Sequence, residues 1–272
     1  MRILSRILIV FVFVGLQTSL WGAGIHRIVS LAPSLTMNLY YLEVQSKLVG
    51  CTSYCEIAKN DHKQIVANAV KVNLEKVVSL KPDLVVTTEL TDPETINSLR
   101  KFGLKVEVFK GVKSFDDICV QFMRLGKLVG KEQKATEMIN TSKQQVESLK
   151  KKVHAKGSRV FFQIGSDPLF TVLTNTYMND FILFAGATNI FAELSRGTVT
   201  REAVLARDPD IIIVVSMGIA GQEEKKTWES YKQLKAVKKK QVFVIDSELA
   251  CTPTPVSFVK TFETLVKLID KL

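Results

Sequence analysis

R-V-F-F-Q-I-G-S-D-P-L-F-T, at residues 159–171, begins a stretch that is the most informative part of the chain about its fold. N-D-F-I-L-F-A-G-A-T-N-I-F follows at 179–191, and V-T-R-E-A-V-L-A-R-D-P-D-I-I-I-V-V closes the stretch at 199–215. The order of apolar runs and breakers predicts a strand, a cleft loop, a helix, a second helix and a second strand. The stretch therefore indicates an α/β unit.

The same alternation extends over most of the chain. Before the stretch, short apolar runs predict strands at Arg27–Leu31, Leu48–Thr52, Leu84–Thr88 and Leu104–Phe109, with helices between them. Ser34 or Thr36 is expected to cap the first helix. After the stretch, Val242–Ile245 predicts a further strand, and the spacing of apolar residues from Phe258 to Ile269 predicts a closing helix. This order of elements predicts mostly parallel sheets with helices on both faces.

Residues 131–154 contain no Gly or Pro and many charges, and their apolar residues fall close to one helical face. A coiled-coil arm is one interpretation. One long helix is the better one, because β/α alternation resumes after Gly157. We expect two Rossmann-like lobes with mostly parallel sheets, at 24–130 and 157–272, joined by one long rigid helix at 131–156.

The N-terminus has the pattern of a secretory signal peptide at 1–23. Arg2 and Arg6 precede an apolar run from Ile7 to Leu16, and small residues follow at 22–24. An uncleaved anchor helix is the alternative. No Cys lies near the expected cleavage site, so no lipid anchor is expected. These features predict an exported protein of the periplasm.

Charge, cysteine and histidine patterns narrow the function further. The chain of 272 residues carries a net charge of +10, but its lysines are scattered, and the run Lys238–Lys240 is interpreted as a solvated turn rather than a nucleic-acid site. The cysteines Cys51, Cys55, Cys119 and Cys251 permit disulfides in an exported protein. For Cys55 and Cys251, free buried thiols are the default expectation, and a disulfide or ligation of iron are the alternatives. The three histidines are far apart, so no bare-metal cage, no protein metal site and no resident cofactor are predicted.

The chain resembles the cobalamin-, haem- and siderophore-binding receptors of ABC importers, whose two α/β lobes are held by a rigid helix. The resemblance rests on R-I-V-S-L-A-P-S-L-T at 27–36, V-G-C-T-S-Y-C at 49–55 and V-N-L-E-K-V-V-S-L-K-P-D-L-V-V at 72–86. It continues through the three stretches quoted above and D-S-E-L-A-C-T-P-T-P at 246–255. The likeness implies a ligand cleft between the lobes and an ABC permease dimer of the inner membrane as partner. It also implies a monomer.

Ligands of open α/β sheets bind beyond the carboxyl ends of the strands. The loops at those ends supply the candidate ligand-binding residues: Pro33, Ser34, Tyr54, Thr88, Phe170, Arg196, Met217 and Thr252. The helix that begins at Pro33 offers backbone N–H groups to an anion. Tyr54 and Phe170 could stack on a flat ligand, and a packed core aromatic is the alternative for each.

The chain departs from the cobalamin receptors that it resembles, since these place several Trp in the cleft. The corresponding loops here carry Ala69-Val70, Thr88 and Arg196. Arg196 is suited to bidentate recognition of an anionic oxygen, although it could also be a surface arginine. The sequence therefore favours an iron chelate, either a ferric siderophore or haem, with a corrinoid as the alternative.

Glu75 and Glu202 occupy equivalent places at helix starts in the two lobes. The resemblance implies that they dock onto arginines of the permease. Without it, both would be ordinary first-turn acids that the helix dipole favours.

The chain carries none of the common nucleophile, metalloprotease, P-loop or dinucleotide motifs, so we do not expect an enzyme. An exported enzyme or a signalling module on the same fold is the alternative function.

Overall fold

The computed structural model describes residues 24–68, 71–153, 155–216 and 218–269. The predicted signal peptide at 1–23 lies outside the described residues. Within them, no helix has the length and apolarity that a membrane span requires.

The N-terminal lobe is built on a parallel sheet of five strands in the order β3-β2-β1-β4-β5. The strands are β1 (Ile28–Ser30), β2 (Leu48–Thr52), β3 (Gln64–Ala67), β4 (Leu84–Thr88) and β5 (Val106–Phe109). Its helices are α1 (Pro33–Tyr41), α2 (Glu56–Asn60), α3 (Leu74–Ser79), α4 (Pro93–Lys101) and α5 (Phe115–Leu128), with a 3₁₀ turn at Gln45–Lys47. Parallel pairing buries both faces of the sheet, which explains the continuous apolar run in β4.

Helix α6 (Glu132–Lys150) leads to the C-terminal lobe. The strands of this lobe are β6 (Arg159–Ser166), β7 (Leu169–Thr171), β8 (Thr188–Asn189), β9 (Ile211–Ser216) and β10 (Val242–Asp246). The sheet order is β10-β9-β6-β7, and β8 also pairs with β6. Among the strands described in this lobe, β7 pairs antiparallel with β6 and the other pairings are parallel. The helices are α7 (Asn179–Phe184), α8 (Arg201–Arg207), α9 (Gly218–Glu229), α10 (Lys235–Lys238), α11 (Ser247–Ala250) and α12 (Pro255–Ile269).

One buried apolar cluster runs through both lobes. Helix α12 packs on α6 and α5, and the ring of Phe115 in α5 stacks on Phe258 in α12 with centroids 4.5 Å apart. The backbone N–H of Phe115 also donates to Asp180 in α7 at 2.7 Å. These contacts hold the N-terminal lobe to the C-terminal lobe through packed helices as well as through α6.

The predicted fold class is confirmed, and several local predictions need correction. Neither Ser34 nor Thr36 caps α1, because Pro33 occupies its first turn and Ala32, at the N-cap, makes no side-chain cap bond. Helix α6 ends at Lys150, before the predicted limit. Gly165 to Phe170, expected as a cleft loop, is largely the β6–β7 hairpin. Helix α9, over the polar stretch that contains Trp228, is not among the predicted elements.

Candidate functional site

A cavity of about 820 Å³ opens between the two lobes. Its walls come from the loops that follow the carboxyl ends of β1 to β5 and of β10. This is the position where open α/β sheets bind ligands. The cavity therefore lies where the strand order predicts a binding site.

The N-terminal lobe supplies most of the wall. Pro33 and Ser34, at the start of α1, line the cavity, as does Thr88 at the end of β4. Tyr54 also lines it and is 61% exposed. A tight turn presents Tyr54, because Cys55 N donates to Thr52 O at 3.1 Å and Tyr54 N donates to the Thr52 hydroxyl at 3.3 Å. The aromatic ring is thus available to a ligand rather than packed in the core.

The opposite wall is the segment from Ser247 to Pro253 in the C-terminal lobe. Its end is fixed by α12, because the Thr254 hydroxyl accepts from Ser257 N at 2.9 Å and the Ser257 hydroxyl accepts from Thr254 N at 3.0 Å. Such reciprocal bonds form a cap at a helix start. The Tyr177 hydroxyl donates to Ala250 O at 2.7 Å and braces the same segment. Thr252 is therefore held at the cavity by groups on both sides.

The charged residues of the lining nearly balance. Lys71 and Lys110 bring positive charge, and Glu56, Asp92 and Glu248 bring negative charge. The cavity therefore carries no excess of positive charge that would select a strongly anionic ligand.

Not all predicted ligand-binding residues come together. Pro33, Ser34, Tyr54, Thr88 and Thr252 line the cavity. Phe170 is 38% exposed on β7 and does not line the cavity. Arg196 is exposed and is also absent from the lining, and among the described residues it has no ion pair. Met217 lies outside the described residues.

Three of the cysteines are buried, and all four are unpaired by disulfides. The Cys55 sulfur lies 3.1 Å from the Thr36 hydroxyl and 3.2 Å from the Thr52 hydroxyl, behind the turn that carries Tyr54. Interaction with Cys51 lowers the pKa of the Cys55 thiol below its usual range, and burial opposes this effect. Cys251 corrects the expectation of a buried thiol, because it is exposed and lines the cavity.

Glu75 and Glu202 take matching positions. Each is exposed in the first turn of its helix, α3 or α8, and each helix has a side-chain N-cap, Asn73 or Thr200. Both helices lead into the amino ends of parallel strands, β4 and β9, so they begin at the cavity end of their lobes. The Glu202 backbone N–H, followed by the Thr200 hydroxyl, lowers the pKa of the Glu202 carboxyl.

Sequence reasoning missed Tyr177, Glu248 and the two lysines of the lining. Glu248 lies in the quoted segment 246–255, so that segment could have pointed to it, whereas Tyr177 and the two lysines lie in no quoted motif. Across the described ranges, no group of three or more His, Cys, Asp or Glu side chains could hold a metal ion. The lining is thus suited to holding a whole molecule through scattered polar and aromatic contacts.

Comparison with known proteins agrees with this geometry. The model of a family described as "Periplasmic binding protein" matches residues 28–249. An uncharacterized ABC transporter substrate-binding lipoprotein of Bacillus subtilis is 29% identical over 84% of this chain and 75% of its own length. A vitamin B12-binding protein of Vibrio vulnificus is 28% identical over 94% of this chain and 92% of its own length. A solved structure of a possible iron-binding (periplasmic solute-binding) protein from Staphylococcus epidermidis is 28% identical, with a TM-score of 0.80 over 91% of this chain and 99% of that chain.

Proposed function

Because the chain belongs to the periplasmic binding proteins, in the group of cobalamin, haem and siderophore receptors, we propose that it captures a metal chelate and delivers it to an ABC permease. The observation that carries the proposal is the cavity between the lobes, with Tyr54 exposed at its wall. The proposed role is binding without turnover, as the relatives are described as binding proteins. Pro33, Ser34, Tyr54, Thr88 and Thr252 are the proposed ligand contacts.

The charge of the cavity bears on the ligand class. The preference for an iron chelate rested on the absence of Trp from the cleft loops and on Arg196, and Arg196 is not in the lining. With two lysines and three carboxylates around it, the cavity suits a ligand of low net charge. We therefore rank a corrinoid first, in agreement with the vitamin B12-binding relative. Phe170, Arg196 and Met217 are retained as predicted contacts for a ligand that extends beyond the cavity.

An iron chelate, either a ferric siderophore or haem, is the second candidate. The description of the Staphylococcus epidermidis protein as possibly iron-binding favours it. Lys71 and Lys110 are the lining cations that an anionic chelate would use.

Bound material would identify the ligand directly. Native mass spectrometry and visible absorbance of protein purified from its own cells should show a single adduct with a corrinoid spectrum. An iron-chelate spectrum would support the second candidate. If the protein carried no adduct and calorimetric titration with cyanocobalamin, haem and ferric siderophores gave no heat, chelate capture would be wrong.

We propose delivery to the permease through Glu75 and Glu202. Exposed ion pairs are individually weak, on the order of 0–1 kcal/mol, but two at opposite ends of an interface can set register and speed encounter. The double replacement Glu75→Ala and Glu202→Ala should abolish uptake in reconstituted vesicles and leave ligand binding intact. The control pair Glu132→Ala and Glu147→Ala removes two exposed acids of α6 that do not line the cavity and should leave uptake unchanged. Full uptake by the Glu75/Glu202 variant would reject the docking role.

We further propose that the protein works as a monomer in the periplasm, exported through a cleaved signal peptide and without a lipid anchor. The apolar segment at 7–16 and the absence of a nearby Cys support this localisation. The periplasmic family supports the compartment.

A further inference from the structure

Eight cationic side chains gather at the end of the C-terminal lobe that faces away from the cavity. Strands β6, β8, β9 and β10 are parallel, so the segments that lead into them lie at one edge of the sheet. The cavity residues 247–253 follow the opposite end of β10. We call this set of exposed side chains the basic face: Lys151, Lys152, Lys156, Arg159, Lys235, Lys238, Lys239 and Lys240.

Hydrogen bonds tie the segments of the basic face together. Arg159 N donates to Asp210 Oδ2 at 3.0 Å, and Lys239 Nζ lies 3.4 Å from Asp210 Oδ1. Lys235 N donates to Asp208 Oδ1 at 2.8 Å. Cations that are about 80 residues apart in the sequence are therefore neighbours on one surface, which the run Lys238–Lys240 alone does not reveal.

The basic face has a large excess of positive charge. In the segments 151–159, 208–210 and 235–241, the carboxylates are Asp208 and Asp210, and both already accept bonds from this surface. In the described part of the chain, Lys151, Lys152, Lys156, Lys238 and Lys240 have no ion pair. On α6, by contrast, Lys134 pairs with Glu43 and Lys143 pairs with Asp116. Such a cluster repels itself unless it meets an anionic partner.

An apolar groove adjoins these cations. Lys150, Val153, Lys156, Phe184 and Gly186 line a hollow of about 400 Å³. Leu183, at the same hollow, is 55% exposed, and Lys150 Nζ lies 3.8 Å from the centre of the Phe184 ring. Lysines around exposed apolar side chains are complementary to a lipid headgroup layer, because the lysines attract its negative charge and the apolar side chains can enter it.

We propose that the basic face docks on an anionic phospholipid surface. Each lysine near such a surface adds attraction that salt screens, and Leu183 can enter the headgroup region. Docking by this face leaves the cavity end of both lobes, with Glu75 and Glu202, open to ligand. The face therefore supplies a membrane contact separate from the proposed permease contact.

Vesicle co-sedimentation of the protein after removal of the signal peptide tests the proposal. Wild type should bind phosphatidylcholine vesicles that contain phosphatidylglycerol, should not bind pure phosphatidylcholine vesicles, and should dissociate as salt rises. Replacing Lys151, Lys152, Lys156 and Lys238 by Gln should weaken binding by about tenfold or more. The matched control replaces Lys113, Lys127, Lys226 and Lys260 by Gln, an equal change of charge at exposed positions outside the basic face, and should retain most of the binding.

Circular dichroism and thermal melting establish that both variants fold. Equal binding by the two variants, or no binding of wild type to anionic vesicles, would overturn the proposal. If duplex DNA or heparin bound through the same four lysines while vesicles did not, the face would serve a polyanionic polymer and membrane docking would be wrong.

Discussion

Asp180 shows how one side chain contributes to the junction of the two lobes. It lies in α7, yet its carboxylate accepts from the backbone N–H of Phe115, the first residue of α5, at 2.7 Å. Helix starts have N–H groups without helical partners, so the other lobe supplies one of the caps of α5. Burial raises the pKa of the Asp180 carboxyl, and the Phe115 N–H opposes the shift. Asp116 and Asp117 raise the pKa further, whereas Lys150 lowers it.

Replacing Asp180 should reveal both its hydrogen bond and its charge. Asp180→Ala leaves the Phe115 N–H without its acceptor and should cost about 1–2 kcal/mol in the free energy of unfolding. Asp180→Asn keeps an acceptor of similar shape and should cost less than the alanine variant. Urea unfolding at neutral pH measures both changes, and equal losses would contradict this account.

The raised pKa of Asp180 also predicts a direction with pH. A carboxyl whose folded pKa is raised contributes stability that is fully present below its unfolded pKa and is lost as pH rises through the folded pKa. Asp180→Asn removes this contribution, so the variant should gain stability relative to wild type as pH rises above the ordinary carboxyl range. A relative stability that falls over this range would show that the charged carboxylate is favoured instead.

At the scale of elements, a partly buried polar network joins β6, α8 and α9. Gln163 accepts from Trp228 Nε1 at 2.7 Å and donates to Glu224 at 2.9 Å. Arg201 donates to both oxygens of Glu224, at 2.8 and 3.0 Å, and its guanidinium lies 4.7 Å from the centre of the Trp228 ring. Because Arg201 precedes Glu202, the network also fixes the helix start that carries the proposed docking acid.

Breaking this network should cost far more than breaking a surface pair on the same helix. Glu224→Ala leaves Arg201 and Gln163 without their partner and should cost about 2–4 kcal/mol, toward the lower range for buried pairs. Glu229→Ala removes a half-buried surface partner of Lys225, 3.7 Å away, and should cost at most about 0.5 kcal/mol. Chemical unfolding followed by Trp228 fluorescence compares the two. Similar costs would mean that the network is not structurally important.

The sequence predicts the main strands of both sheets well, because β4 and β9 are continuous apolar runs between clear breakers. Helix α9 is missed because its sequence is polar and contains glycine. Gly221 is needed for packing, since a Cβ there would lie 2.7 Å from Val244 Cγ1 in β10.

Five proposed ligand contacts were predictable from strand ends. Phe170 is not in the lining, because it belongs to strand β7, which pairs antiparallel with β6. No local motif indicates this pairing.

At the scale of the whole molecule, the lobes are joined by packing as well as by chain connection. Phe115, Phe181, Phe184 and Phe258 form stacked and edge contacts between α5, α7 and α12, with centroids 4.4 to 6.5 Å apart. Such a core resists large hinge motion, because interdigitated side chains must separate before the lobes move. The cavity is therefore expected to be largely formed before the ligand arrives.

We expect a metal chelate to bind in this preformed cavity. Thr88→Trp would place a large side chain at its wall, and Thr136→Trp would place the same side chain on the exposed surface of α6. Calorimetric titration with cyanocobalamin, haem and a ferric siderophore measures binding to the three proteins. One of these chelates should bind wild type and Thr136→Trp at one-to-one stoichiometry. A folded Thr88→Trp variant should lose that affinity. Equal affinity in all three proteins, or no chelate binding to wild type, would contradict the account.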